Sequence, residues 1–96
     1  FEQVPVLDRD IIDYYLDEQC IPGGTHRNWD SYGDHIAPLP ERRRLLLCDP
    51  QTSGGLLVAV ADGALDAFRH EAAKLDLMLE PFGQVVPKAE YLVRVE

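Results

Sequence analysis

Residues 54–63 read GGLLVAVADG. Six apolar residues, Leu56 to Ala61, stand between a glycine pair and Asp62-Gly63. A continuous apolar run of this length, bounded by turn-forming residues, reads as a strand buried on both faces. That reading makes 56–61 the centre of a small sheet and so decides the fold class. Downstream, Asp62 stands as the N-cap of a helix over 63–75, in which Leu65, Phe68, Ala72 and Leu75 recur at helical spacing. Asp66 near its start and Lys74 near its end agree with the helix dipole. Two more strands are expected at 82–86 (FGQVV) and 91–95 (YLVRV), the second alternating Tyr91, Val93 and Val95 against Leu92 and Arg94.

Upstream of the run, Gln3 to Val6 reads as a short strand. Ile11, Ile12, Tyr15 and Leu16 then fall on one face of a helix that begins after Asp8 as N-cap and ends near Glu18. Leu7 and Ile12 stand at the positions of a hydrophobic staple. A loop, CIPGGTHRN, occupies 20–28, and Asn28 is placed to cap a short helix carrying Trp29, Tyr32 and Ile36. Gly33 would weaken that helix by up to about 1 kcal/mol. Pro38 and Pro40 break the chain. A helix over Glu41 to Cys48 follows, stopped by Asp49-Pro50 because the residue before proline avoids helical backbone. Strands and helices in this order predict an α+β fold, a small mixed sheet covered by helices.

Composition narrows the function classes. With 17 acidic and 9 basic side chains the net charge is −8, a field that repels nucleic acid and anionic lipid. Arg42-Arg43-Arg44 reads as a solvated helix face, and so does the acidic set Asp8, Asp10, Asp13 and Asp17. No stretch approaches the roughly 20 apolar residues of a membrane span, and no secretory leader opens the chain, so a cytoplasmic location is expected. The two cysteines, Cys20 and Cys48, make no disulfide framework and read as reduced and buried. No C-x-x-C and no histidine pair at ligand spacing points to a metal. A Cys20–His26–Asp30 nucleophilic arrangement has only closeness in sequence to support it.

Two loops carry the remaining chemistry. The run LLCDPQTSGGLL at 46–57 holds hydroxyls, an amide and glycines, but no lysine lies near them and a strand is expected to follow. It therefore lacks both the phosphate-binding sequence G-x-x-x-x-G-K-[ST] and a helix dipole aimed at an anion. CIPGGTHRN precedes a helix and contains Arg27, a planar cation suited to phosphate, beside the donors Thr25 and Asn28.

Taken together, CIPGGTHRN with Tyr32-Gly33, DPQTSGG at 49–55, the LLVAV run and the late Gly-x-Val-Val resemble the C-terminal domain of selenophosphate synthetase (selenide, water dikinase). The resemblance extends along nearly the whole chain. It implies part of a PurM-like C-terminal domain over 1–96, a fold shared with aminoimidazole ribonucleotide synthetase and the hydrogenase-maturation carbamoyl dehydratase. The whole enzyme would make selenophosphate, AMP and phosphate from ATP, selenide and water, using magnesium. The family's reactive cysteine or selenocysteine, its adjacent lysine, its glycine-rich ATP loop and a metal-binding aspartate belong to segments not found among these residues. No catalytic or metal-ligating residue is therefore assigned here, and no cofactor is expected on the chain alone. The expected partner is the enzyme's own N-terminal domain, with Thr25, Arg27, Asn28, Gln51, Thr52 and Ser53 as candidates to lie near its ligand. A first residue that is not methionine suits a piece of a longer protein, and a truncated sheet would favour self-association. An autonomous, non-catalytic interaction module is the alternative.

Overall fold

The computed structural model describes residues 1–96. Its regular structure is helical: α1 (Arg9–Asp17), α2 (Gly23–Tyr32), a 3-10 turn at Gly33–His35, α3 (Glu41–Leu47) and α4 (Leu65–Ala73). The expected mixed sheet is not formed. Residues 3–6, 56–61 and 82–86 adopt no strand, and 91–95 contributes only an isolated parallel bridge between Val93 and Ile36. The run that decided the fold class was read correctly as apolar and wrongly as a buried strand. A strand needs neighbours to take up its backbone donors and acceptors, and residues 56–60 exchange no backbone hydrogen bond with any other segment. Leu56 and Leu57 are 92% and 84% exposed.

The chain divides into two compact units, Phe1–Ser53 with Pro87–Glu96, and Gly54–Val86. In the first, α1 starts as expected. Asp8 is extended, and its carboxylate accepts from the Ile11 amide at 3.1 Å. The staple is not made, because Leu7 is wholly exposed. The end of α1 is closed by two bonds, Cys20 N–H to Tyr15 O at 2.9 Å and Gln19 N–H to Leu16 O at 3.1 Å, with Gln19 left-handed at φ 58°. That is a Schellman closure, with glutamine where glycine is usual.

The second helix differs from expectation. It begins at Gly23, not after Asn28, with extended Pro22 as N-cap and no capping side chain. The fixed φ of proline prepares the helical entry, and Asn28 is left in mid-helix with its side chain free for another use. Gly33 follows α2 at its C-cap. A Cβ there would fall 2.7 Å from Trp29 Cε2, so the indole ring packs against the bare glycine backbone. The residue expected to weaken the helix makes room for its largest side chain.

The three arginines of α3 are not a uniformly solvated face. Arg42 donates to Asp17 Oδ1 at 2.6 Å, to Asp13 Oδ1 at 2.9 Å and to the Asp13 carbonyl at 3.0 Å, tying α3 to α1. Asp13 and Asp17, four residues apart, share one face of α1 and accept the guanidinium fork together. The Asp17 and Asp13 bonds raise the Arg42 pKa above its ordinary value. Arg43 stands 4.7 Å over the Phe1 ring and Arg9 5.3 Å from it. Arg44 stands 5.2 Å over Trp29 and bonds Glu41 at 3.0 Å. After α3, residues 92–93 and 35–37 share three backbone hydrogen bonds around the single bridge.

In the second unit α4 runs Leu65–Ala73 with Ala64 at the N-cap and no side-chain cap, so Asp62 does not cap it. Its end repeats the closure of α1: Leu77 N–H to Ala72 O and Asp76 N–H to Ala73 O, both 3.1 Å, with Asp76 at φ 57°. Arg69 pairs with Glu80, and Lys74 with Glu71 at 2.7 Å. Ala72 is the buried residue of this unit. No helix of the protein is long and apolar enough to cross a membrane.

Candidate functional site

Within the first unit, α2 meets the segment that leaves α3. The Asn28 side-chain amide donates to the Cys48 carbonyl at 2.9 Å. Cys48 is the C-cap of α3, so this bond satisfies one of the carbonyls a helix end leaves without a partner. Beside it, Gly24 faces Pro50. A Cβ on Gly24 would lie 2.8 Å from Pro50 Cγ and 2.9 Å from Pro50 Cβ. Only a glycine allows this approach without a shift of the proline. The two loops singled out in the sequence, PGGTHRN and DPQTSGG, are therefore neighbours at 24–28 and 48–50.

The six candidate residues fall into different environments. Gln51, Thr52 and Ser53 are exposed and directly follow the anchored segment. Arg27 is exposed, and its side chain lies back along the first turn of α2, with Nη1 3.7 Å and Nη2 3.8 Å from where Cβ atoms on Gly23 and Gly24 would stand. The positive end of the helix dipole and a guanidinium thus coincide. Asn28 is half-buried and committed to Cys48. Thr25 is 1% exposed, and its hydroxyl has no hydrogen-bond partner. Leaving a buried hydroxyl unpaired costs about 1–3 kcal/mol. The isosteric Thr25→Val is accordingly expected to raise the midpoint for loss of helical circular dichroism, by about 1 kcal/mol of stability; a lowered midpoint would mean that the hydroxyl is satisfied.

The cysteines differ from the expectation that both are buried. Cys20 is exposed and Cys48 half-buried. Burial pushes the Cys48 thiol up, against a smaller opposing effect of Arg44. A raised pKa leaves less thiolate at a given pH. Iodoacetamide at pH 8 should therefore label Cys20 first and Cys48 slowly, read by mass spectrometry of the peptides. Equal or reversed rates would contradict this placement.

No three histidine, cysteine, aspartate or glutamate side chains come together as a metal-ligand set. Asp13 and Asp17 are engaged by Arg42. The residues present do not fit a magnesium site. The feature that reading the sequence missed is the seating of Pro50 on Gly24 and of Asn28 on the Cys48 carbonyl. Its one signal was that both segments carry small or rigid residues where two backbones could approach.

No protein-family model and no solved structure matches the chain. Among curated proteins it is 58% identical over 83 residues to a selenide, water dikinase of Pseudomonas aeruginosa, covering 86% of this chain and 24% of that protein. A selenide, water dikinase of Bordetella bronchiseptica is 56% identical over 84 residues, covering 88% of this chain and 24% of the relative. One of Sulfurimonas denitrificans is 43% identical over 95 residues, covering 99% of this chain and 27% of the relative. The chain thus spans about a quarter of the length of the curated relatives it matches. Over the segment it spans, the chain belongs to the selenide, water dikinase family.

Proposed function

We propose that the chain acts as a non-catalytic part of a selenide, water dikinase, in its C-terminal domain. In that enzyme ATP, selenide and water would be converted to selenophosphate, AMP and phosphate with magnesium. The observation that carries the reading is an identity of 43–58% to proteins of that name along most of this chain. The site chemistry supports a wall and not an engine. Phosphoryl transfer is driven by positioning and by positive charge gathered on the phosphates. The segment offers Arg27 and the positive end of α2, beside three exposed polar residues, Gln51, Thr52 and Ser53. These groups can orient a ligand or exclude water from a site whose metal and nucleophile are supplied by other segments of the enzyme.

The partner in this reading is the N-terminal domain of the same enzyme, with ATP and selenide as substrates of the whole. Replacing Thr52 and Ser53 together by alanine in a full-length enzyme tests it. We expect kcat/KM to fall by roughly tenfold, the loss of one or two neutral hydrogen bonds in the transition state, with the melting temperature unchanged. Unchanged turnover would remove this loop from the site.

A further inference from the structure

We infer that Gly24 and Asn28 form a latch that positions the 51–53 loop for the reaction, an inference that rests on the functional reading above. Asn28 reaches from mid-helix in α2 to the Cys48 carbonyl, 20 residues on, at 2.9 Å. One turn earlier on the same helix, Gly24 seats Pro50, with space for no Cβ between them. These contacts hold 48 and 50 against a helix immediately before the exposed Gln51, Thr52 and Ser53. No backbone hydrogen bond to any of residues 51–53 does the same work. The sequence offered Asn28 as a ligand contact. Its donor is spent on Cys48, so it acts through the loop and is a positioning residue.

The mechanism is an entropic one. A polar loop that must meet a ligand in one geometry loses less freedom on binding when its base is already fixed. Proline at 50 contributes a fixed φ, and Gly24 lets the ring lie against the helix backbone. Asn28→Asp replaces the donor by a carboxylate facing a carbonyl oxygen. Gly24→Ala places a methyl group where the proline ring stands. The two changes attack the latch from opposite sides with unrelated chemistry.

The test uses full-length selenide, water dikinase carrying this segment, with Asn28→Asp, Gly24→Ala and, separately, the Thr52→Ala/Ser53→Ala pair. Amide exchange at residues 48 and 49, whose N–H groups are bonded to Arg44 O and Leu46 O where the latch holds the end of α3, is measured by mass spectrometry beside turnover at saturating and limiting ATP and selenide. Exchange at 48 and 49 is expected to quicken roughly tenfold in both latch variants, as the end of α3 frays once it is no longer held against α2, with exchange in α1 unchanged, and kcat/KM to fall about as far as in the loop pair. The loop pair should lower kcat/KM without quickening exchange. Unchanged exchange in both latch variants would overturn the latch and leave the functional reading standing. Faster exchange with normal turnover, while the loop pair is impaired, would overturn the positioning role alone. Normal turnover in all three would overturn the positioning role together with the reading on which it rests. If Asn28→Asp lowers the melting temperature, Gly24→Ala decides.

Discussion

Purified by itself and incubated with magnesium and ATP, the 96-residue chain is expected to leave ATP intact. The physical ground is charge. Moving a phosphoryl group requires cations or metal around oxygens that already carry negative charge. This chain has a net charge of −8, and no cluster of its carboxylates, histidines or cysteines forms a metal-ligand set. Arg27 and the amino end of α2 supply one positive locus at the candidate site. One such locus can hold an anion, but it cannot also neutralise a leaving group and ready a nucleophile. A full-length enzyme assayed in parallel should consume ATP, so the expected difference is a whole catalysed rate enhancement, on the order of 10⁶-fold or more. Magnesium-dependent ATP consumption by the chain that tracks with it through chromatography, and is lost on Arg27→Ala, would sink the proposal that the machinery lies elsewhere.

What could be read from the sequence follows a simple division. Helix boundaries set by local chemistry were legible: Asp8 caps α1, Glu18 ends it, and α3 lies between Pro40 and Asp49. Local chemistry misled where two signals competed. Asn28 is a good cap by residue type, yet Pro22 starts the helix sooner and the asparagine serves Cys48. Asp62 is likewise a good cap by type that makes no capping bond. The left-handed closures after α1 and α4 were not legible, because Gln19 and Asp76 take the backbone that glycine advertises, even though the end of α1 near Glu18 was. The strands failed for a different reason. Apolar patterning in 56–61 reports a need for cover, and pairing depends on what else is present to supply it. The candidate loops were legible as loops from their glycines and prolines. That they touch at Gly24 and Pro50 depends on tertiary packing, which no spacing in the sequence encodes.

Limited thermolysis should separate the two units of the chain sharply. The first unit has α1 and α3 joined by the Arg42 guanidinium clamp, and α2 closed onto the end of α3 by Asn28. In the second, Leu56, Leu57, Val85 and Met78 are exposed, Ala72 is the buried residue, and residues 78–86 take part in no backbone hydrogen bond outside regular elements. Proteases cut where an extended backbone and an accessible apolar side chain coincide. The first cuts are therefore expected before Leu56, Leu57 and Val58 and between 77 and 86, while 9–48 persists as a longer-lived product. In full-length selenide, water dikinase the same bonds should be cut roughly a hundredfold more slowly, because apolar surface of this extent is normally covered by other parts of a protein. Mass spectrometry of a time course reads both comparisons. First cuts within α1 or α3 would contradict the division into units. Equal cleavage of 54–60 in the isolated chain and the full-length enzyme would show that no other part of the enzyme covers that surface.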